Sequence, residues 1–169
     1  MIILEVERGI GLRQFSIADA PYIFELIDGN REHLSQYGDD TAGKYPNVES
    51  VIRSIRNPVN TNRLRFGIWY FGNLTGSVNL TVDVDKNHAR LGYYLGAQFQ
   101  GKGLIAKSAK RLVLYALNVK NVKLVDAEVH EDNARSIRVL ERLLFIKSGT
   151  FVKPKTEGNF LLYVRAKKR

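Results

Sequence analysis

The stretch from Leu91 to Lys110, LGYYLGAQFQGKGLIAKSAK, has the residue types and the order of a phosphate-binding loop. An aromatic strand pattern breaks at Gly96, and two glycines then precede an apolar helical pattern that begins at Leu104. Gly101 and Gly103 let a backbone approach a ligand closely, and the free N–H groups at a helix start attract an anion. The stretch therefore predicts a pyrophosphate site, although a plain turn can also require two glycines.

Two familiar nucleotide-binding patterns do not fit this loop. It lacks the Lys and Ser/Thr order of a P-loop, and it lacks the third glycine of the dinucleotide fingerprint. Nucleoside triphosphates and NAD are therefore poor candidate ligands. Four basic residues that follow the glycines could receive a phosphate group: Lys102, Lys107, Lys110 and Arg111.

A second candidate segment, AEVHEDNARSIRVLERLLF, covers residues 127–145. It begins with the alternation of a strand, and a helical pattern starts at Asn133. Without any ligand, Asn133 would serve as a helix N-cap and Ser136 as a solvent-facing helix serine. The segment nevertheless places a polar amide and a hydroxyl at a strand-to-helix junction, where a ligand could meet both.

Together the two segments resemble the GCN5-related N-acetyltransferase (GNAT) superfamily, over residues 9–166. The acetyl-CoA signature of that family is Gln or Arg, two residues, Gly, one residue, then Gly or Ala. Gln100 and Gly103 match it, and Ile105 takes the last position. A register from Gln98 to Gly103 also fits the letters, but the helix must begin just after Gly103. The isoleucine and the strand LGYYL are similar to the RimJ/RimL type, the ribosomal-protein N-terminal acetyltransferases.

The resemblance implies that acetyl-CoA is the cosubstrate and that no metal takes part. The Leu95 N–H, at the strand break, would polarise the thioester carbonyl, and such a donor is worth about 3–4 kcal/mol. Asn133 would contact the pantetheine arm, and Ser136 would lie near the sulfur. The implied cofactor-binding residues are Tyr94, Leu95, Gln100, Gly101, Lys102, Gly103, Leu104, Ile105, Asn133 and Ser136. The implied catalytic residues are Ser136, Glu157 and Leu95.

Three positions depart from the family pattern. Leu140 lies one turn after Ser136, where many relatives have a tyrosine that protonates the departing thiolate, which argues against a tyrosine acid. Arg90 precedes LGYYL, where RimJ/RimL relatives often have a glutamate. Leu144 replaces the glycine of the usual Leu-Gly-Phe, which predicts a tighter or shifted helix end.

The missing glutamate favours an acceptor amine that needs little help from a base. An α-amine, with a pKa of about 7.7–8.0, is roughly a tenth neutral at pH 7, whereas a lysine amine is neutral by less than about one part in a thousand. A protein N-terminal α-amine is therefore the expected acceptor, and a polyamine or another small amine is the alternative. Ser136 or water would protonate the thiolate. Glu128, which we expect to be exposed, and Glu157 are the remaining base candidates.

The acceptor cleft is expected beside the first helices and the polar loop Gly38–Pro46, opposite the cofactor. Asp39 and Asp40 in that loop could attract a cationic amine, although two aspartates are also common turn formers. The three histidines show no metal-ligand spacing and are interpreted as surface residues: His33, His88 and His130.

The surrounding patterns predict an α+β protein with one domain over residues 1–169. A helix separates consecutive strands only twice, which favours a mixed sheet over a doubly wound parallel one. The expected GNAT-like sheet is mostly antiparallel, with about six to seven strands and helices on both faces. The expected elements are strand 11–15, helix 17–28, helix 32–36, a helix from 48 to Pro58, a hairpin of 65–71 and 74–84 around Gly72-Asn73, strand 89–95, helix 104–119, strand 122–129, helix 133–144, and strands 145–152 and 160–166.

The composition is that of a globular domain with an excess of positive charge. The 169 residues include 26 Lys and Arg against 17 Asp and Glu, a net charge of +9. The absence of cysteine excludes disulfides, a thiol nucleophile and Cys-ligated metals. No stretch approaches the roughly 18 apolar residues of a membrane span, so we expect a soluble cytoplasmic protein.

The charge leaves a second class of function open, because a basic surface favours polyanions. A non-enzymatic RNA- or ribosome-binding domain could stack bases on Phe66, Trp69, Tyr70 and Phe71. A CoA-binding relative without catalysis is a third candidate. The expected partners are acetyl-CoA and an amine acceptor, with association with the ribosome left open, for a monomer or a homodimer. The basic tail 167–169 is interpreted as solvated decoration.

Overall fold

Eight strands form one sheet in a computed structural model that describes residues 1–167. The strands are β1 Ile3–Glu7, β2 Ile10–Gln14, β3 Arg63–Tyr70, β4 Asn73–Asp83, β5 His88–Leu95, β6 Leu124–His130, β7 Ile146–Phe151 and β8 Phe160–Ala166. The helices are α1 Ala20–Asp28, α2 Arg31–Leu34, α3 Thr41–Lys44, α4 Val48–Arg56, α5 Leu104–Asn118 and α6 Ala134–Arg142. Lys168 and Arg169, the end of the predicted basic tail, lie outside the described residues.

The sheet order is β1-β2-β3-β4-β5-β6-β8-β7, and every pair is antiparallel except β5 with β6. The predicted mixed, mostly antiparallel α+β fold is confirmed. The sheet has one strand more than the six to seven expected. The additional strand is β1, whose side chains are mostly exposed. Leu4 and Val6 of β1 pack against the core and alternate with Glu5 and Glu7, but only Leu4 is fully buried and the alternation covers only four residues.

The β3–β4 hairpin turns one residue earlier than predicted. Tyr70 pairs with Asn73, so the two turn residues are Phe71 and Gly72, with φ of 45° and 82°. Positive φ at both positions gives the twist that a two-residue hairpin needs. The prediction of Gly72-Asn73 is wrong because Phe71, an unusual residue at positive φ, takes the first turn position.

Strand alternation divides the sheet into two packed faces. On one face α5 and α6 cover the main core, which includes Phe66, Val78 and Leu91. On the other face α1 and α4 enclose a smaller cluster around Ile23 and Val51. Helices on both faces, as predicted, leave the two sides of β5 in different surroundings.

The neighbouring strands β5 and β6 pair over only a short length. Within residues 1–167, their parallel pairing joins His88–Arg90 to Leu124–Asp126. Beyond that point β6 continues along β8, and β5 continues along β4. The result is a gap between Leu91–Leu95 and Ala127–His130, which we call the β5–β6 opening.

Two local predictions need correction. The loop Gly38–Pro46 is not irregular throughout, because α3 forms one turn inside it. The end of α6 is not shifted: Phe145 N–H donates to Leu140 O, and Leu144 N–H donates to Glu141 O, as in a regular Schellman ending. Leu144 adopts the left-handed φ of 63° that glycine usually supplies. No helix in the described part of the chain is long and apolar enough to cross a membrane.

Candidate active site

The glycine loop after β5 has the geometry of an anion cradle. Gly101 and Gly103 have φ of 81° and 71°, a backbone conformation that L side chains rarely adopt. Within residues 1–167, the N–H groups of Gly101, Lys102 and Gly103 make no hydrogen bond. A Cβ placed on Gly101 would meet no atom within 4 Å, so the loop faces open space that can take a phosphate group.

The 15-residue helix α5 begins directly after this loop and adds its positive dipole end. One predicted donor differs, because the Gln100 N–H already donates to Ala97 O at 3.3 Å. The basic residues after the loop are also partly engaged. Lys107 forms an ion pair with Glu7, and Arg111 donates to the Glu5 carbonyl, so both tie α5 to the β1 edge.

The end of β5 directs a backbone donor into the β5–β6 opening. Gly96 N–H donates to Thr75 O at 2.9 Å, which makes that pair a hydrogen-bonded one. In an antiparallel ladder the next pair, Gly76 with Leu95, is then not hydrogen-bonded. The Leu95 N–H therefore points away from β4, toward the opening, as a donor for a carbonyl oxygen must.

Two polar residues of the α1–α2 region, Asn30 and His33, hold this strand end, and neither role was predictable from the sequence pattern. Asn30, which is buried, accepts a hydrogen bond from Ala97 N–H at 2.8 Å. The His33 Nε2 lies 3.1 Å from Leu95 O and 3.0 Å from Gln100 Nε2. The interpretation of His33 as a simple surface histidine is therefore wrong, because its ring links α2 to the start of the cofactor loop.

A pair of hydroxyl groups lies across the opening from α6 to β5. Tyr93 Oη and Ser136 Oγ are 2.7 Å apart. Burial raises the pKa of the Tyr93 hydroxyl to about 12, so it stays protonated at neutral pH. Asn133 caps α6 by accepting from Ser136 N–H at 3.1 Å, as its N-cap interpretation predicts. Leu140, at the position where many relatives have a tyrosine, is fully buried. The tyrosine that contacts Ser136 in this protein is Tyr93, from β5.

Glu128 was expected to be exposed, but in the structure it is largely buried and paired. Its carboxylate forms ion pairs with Arg90 and with Lys153, the latter at 2.7 Å, and its side chain is 19% exposed. The hydrogen bond to the buried Asp126, at 2.8 Å, raises the pKa of Arg90. Arg90, which stands where the family often has a glutamate, therefore pairs with the carboxylates of both Asp126 and Glu128 and stays protonated.

Glu157 lies in the loop between β7 and β8, and its side chain is exposed. Among residues 1–167 its side chain makes no hydrogen bond or ion pair, and its backbone carbonyl oxygen lies 2.9 Å from His130 Nε2. The other ring nitrogen of His130 accepts from Asp132 N–H, so both nitrogens of this buried ring already have a partner. His130 is thus neither a surface residue nor a free base, and Glu157 as a catalytic residue stays a prediction.

The two aspartates of the predicted acceptor loop have local partners. Asp39 accepts from Thr41 N–H at 2.7 Å, and Asp40 forms an exposed ion pair with Lys44. This is the turn-forming role that the sequence analysis left as the alternative. The predicted attraction of a cationic amine to this loop loses its main support.

The aromatic residues of β3 do not form a base-stacking platform. Phe66 is completely buried, and Tyr70 packs against the main core. The Arg13 guanidinium covers the Trp69 ring at 4.4 Å from its centroid. Only Phe71, in the hairpin turn, is largely exposed. Among residues 1–167 no group of three or more His, Asp or Glu side chains is placed to hold a metal ion.

A strand end that presents an N–H into a gap, followed by an anion-binding helix start, is the arrangement of an acyl-group transferase that uses a phosphate-bearing carrier. The chain matches the Acetyltransferase (GNAT) domain family over residues 10–146 and belongs to that family, so it is an N-acetyltransferase by class.

Named relatives agree with this assignment. A Bacillus subtilis (strain 168) protein, provisionally named ribosomal N-acetyltransferase YdaF, is 27% identical over 154 residues, which cover 88% of this chain and 84% of that protein. The structure of RimL, a ribosomal L7/L12 alpha-N-protein acetyltransferase in complex with coenzyme A, has a TM-score of 0.90 at 18% identity and covers 98% of both chains. A ribosomal-protein-S5-alanine acetyltransferase from Vibrio fischeri has a TM-score of 0.88 at 19% identity, covering 99% of this chain and 97% of its own.

Proposed function

We propose that the protein transfers the acetyl group of acetyl-CoA to a primary amine, and that this amine is the N-terminal α-amine of a protein. The observation that carries the proposal is the convergence of three features on the β5–β6 opening. These are the anion cradle at Gly101–Gly103, the Leu95 N–H and the Tyr93–Ser136 hydroxyl pair. RimL is named as a ribosomal L7/L12 alpha-N-protein acetyltransferase, and the Vibrio fischeri enzyme is named for an alanine of ribosomal protein S5; both names agree with this choice of acceptor.

The N–H groups from Gly101 to Ile105 would bind the pyrophosphate of acetyl-CoA, and the pantetheine arm would pass Asn133 into the opening. The Leu95 N–H would then donate to the thioester carbonyl oxygen. Neither role needs a side chain with special chemistry, because both use backbone donors that the fold holds in place.

The neutral amine attacks the thioester carbon, so that a C–N bond forms and the carbonyl oxygen becomes an oxyanion held by Leu95 N–H. Collapse of this intermediate breaks the C–S bond and releases the CoA thiolate. Ser136 donates its proton to the sulfur and regains one from Tyr93 or water. The proton that the amine loses passes to solvent or to a nearby carboxylate.

The electrostatics of the site favour an α-amine over a lysine amine. Glu128 is the carboxylate on the β6 side, and each of its two oxygens is already paired with a cation, one with Arg90 and the other with Lys153. An α-amine is already about a tenth neutral at pH 7, so it can react without a strong base. A lysine amine would depend on one.

The test combines binding and turnover. Isothermal titration with CoA should give binding in the micromolar range, and release of free thiol from acetyl-CoA should be measured with three acceptors. These are a lysine-free peptide with a free N-terminus, an N-terminally blocked peptide with one lysine, and spermidine. The proposal expects the first acceptor to be the best substrate. CoA binding without turnover of any acceptor would indicate a non-catalytic CoA-binding protein, and no CoA binding would overturn the proposal.

A further inference from the structure

A cavity of about 120 Å³ next to the β5–β6 opening has a positively charged lining. Three basic side chains and one carboxylate line it, and its floor is formed by β4 and β5. We call it the basic cavity and define it by Lys44, Arg63 and Arg65. Its carboxylate, Asp39, already accepts the Thr41 N–H. The cavity therefore has an excess of positive charge in the region where the acceptor was expected.

Arg65 is fixed in place within the basic cavity. Its Nη1 donates to Ser54 Oγ at 2.9 Å. Its guanidinium carbon lies 5.7 Å from the centroid of the Phe15 ring and 5.6 Å from that of the Tyr45 ring. Two aromatic faces and one hydrogen bond orient the charge before any ligand arrives, which reduces the entropy cost of binding.

Arg63 lies two residues away on the same face of β3 and has no carboxylate partner among residues 1–167. Lys44 has one, Asp40, but that pair is exposed and of little energetic value. Both cations are therefore able to reorient toward a bound anion at small cost.

The floor of the cavity adds neutral donors. Ser77 and Asn79 are 1% and 6% exposed, and Ser77 Oγ donates to Asn79 Oδ1 at 3.2 Å. This contact leaves the amide N–H groups of Asn79 without a hydrogen-bond acceptor among the described residues. Amide donors beside guanidinium groups suit a carboxylate or a phosphate.

We propose that the basic cavity binds an acidic group of the acceptor, an Asp or Glu side chain at the second or third residue of the acetylated N-terminus. The distance supports this placement. Tyr94 and Gly92, which both line the cavity, precede Leu95 by one and three residues of β5, which is about 3 and 10 Å. The second and third residues of an extended peptide lie about 3.5 and 7 Å from the first, so their side chains fall within this span.

This proposal rests on the proposed acetyl transfer and specifies, in addition, that the acceptor carries a negative charge near its N-terminus. The test uses three peptides that differ only at the second residue, which is Asp, Asn or Lys behind a common N-terminal Ser. Wild-type protein should acetylate the Asp peptide with a kcat/KM at least tenfold higher than the Asn peptide, mainly through a lower KM. The Lys peptide should be the poorest.

The folded variant Arg63→Gln with Arg65→Gln removes the oriented arginine and its neighbour on β3, and should reduce the preference for Asp over Asn to within twofold. Arg56→Gln is the matched control, because Arg56 is an exposed arginine on the nearby helix α4 that does not line the cavity, and it should keep the full preference. Equal use of Asp and Asn peptides by the wild type would overturn the proposal, as would a preference that survives in the double variant.

A binding measurement separates this proposal from the proposed function. Calorimetry of the CoA-saturated protein with the N-acetylated Asp and Asn peptides requires no chemistry. Tighter binding of the Asp form, lost in the double variant, supports the cavity even if no amine is acetylated. Acetylation of α-amines without any difference between these two peptides would support the transferase function and overturn the acidic acceptor.

Discussion

Removal of one oxygen atom, in Tyr93→Phe, tests whether the hydroxyl pair takes part in the release of the thiolate. Tyr93 Oη lies 2.7 Å from Ser136 Oγ and is buried against the main core, so phenylalanine can occupy the same space. A hydrogen bond of this kind has a net worth of about 0.5–1.5 kcal/mol. If that energy orients Ser136 toward the sulfur, kcat should fall by about 2- to 13-fold.

The assay is release of free thiol from acetyl-CoA at saturating peptide, with CoA affinity measured by titration. Tyr93→Phe should lower kcat while CoA affinity stays within twofold of the wild-type value. Tyr163→Phe is the matched control, because the Oη of Tyr163 on β8 donates to Glu141 of α6 at 3.3 Å and not to Ser136. An unchanged kcat in folded Tyr93→Phe, or an equal loss in both variants, would refute the role of Tyr93.

Three further predictions concern the cofactor loop, acid stability and the end of α6. Gly101→Val and Gly103→Val should each weaken CoA binding about tenfold, because both positions need positive φ and the N–H groups would be displaced; equal affinity in a folded variant would remove the pyrophosphate from this loop. Burial opposes ionisation of Asp19, but hydrogen bonds from Arg13 and Ser16 lower its pKa overall. A lowered folded pKa stabilises the protein above the unfolded value of about 3.9, and the gain is lost as pH falls through the folded pKa. Asp19→Asn should therefore cost about 1–3 kcal/mol at pH 7 by urea unfolding and progressively less as the pH falls below about 3.9, and a difference constant with pH would contradict this. Leu144→Gly should stabilise the protein by about 0.5–1 kcal/mol, because the left-handed backbone conformation of Leu144 is unfavourable for a residue with a Cβ and its exposed side chain contributes little packing. A lower melting temperature for this variant would contradict the prediction.

Helices and strands were predictable from the sequence wherever a long segment has regular apolar periodicity. The 15-residue helix α5 and the strands β5 and β8 carry strong apolar periodicity and were predicted within one residue or so of their ends. The glycine loop was also predictable, because only glycine tolerates positive φ without cost. The short strand β1 was missed because only one of its residues is buried.

The side-chain contacts of the site depend on tertiary packing and could not be predicted from spacing. Tyr93 and Ser136 are 43 residues apart, and only the divergence of β5 from β6 brings α6 within reach of the tyrosine. The ion pairs of Glu128 likewise join three separate elements. The alternation in LGYYL placed Tyr93 and Tyr94 on opposite faces, which was the one available signal.

The pH dependence of kcat/KM for two acceptors tests the central claim most directly. The acceptors are a lysine-free peptide with a free N-terminus and the same peptide with a blocked N-terminus and one lysine. The account predicts that the α-amine peptide is the better substrate and that its rate levels off near pH 8, whereas the lysine peptide keeps rising past about pH 9, each following the titration of its own amine. A profile with one apparent pKa of about 6–7 for both acceptors, or faster acetylation of the lysine peptide at pH 7, would contradict an α-amine transferase that works without a strong base.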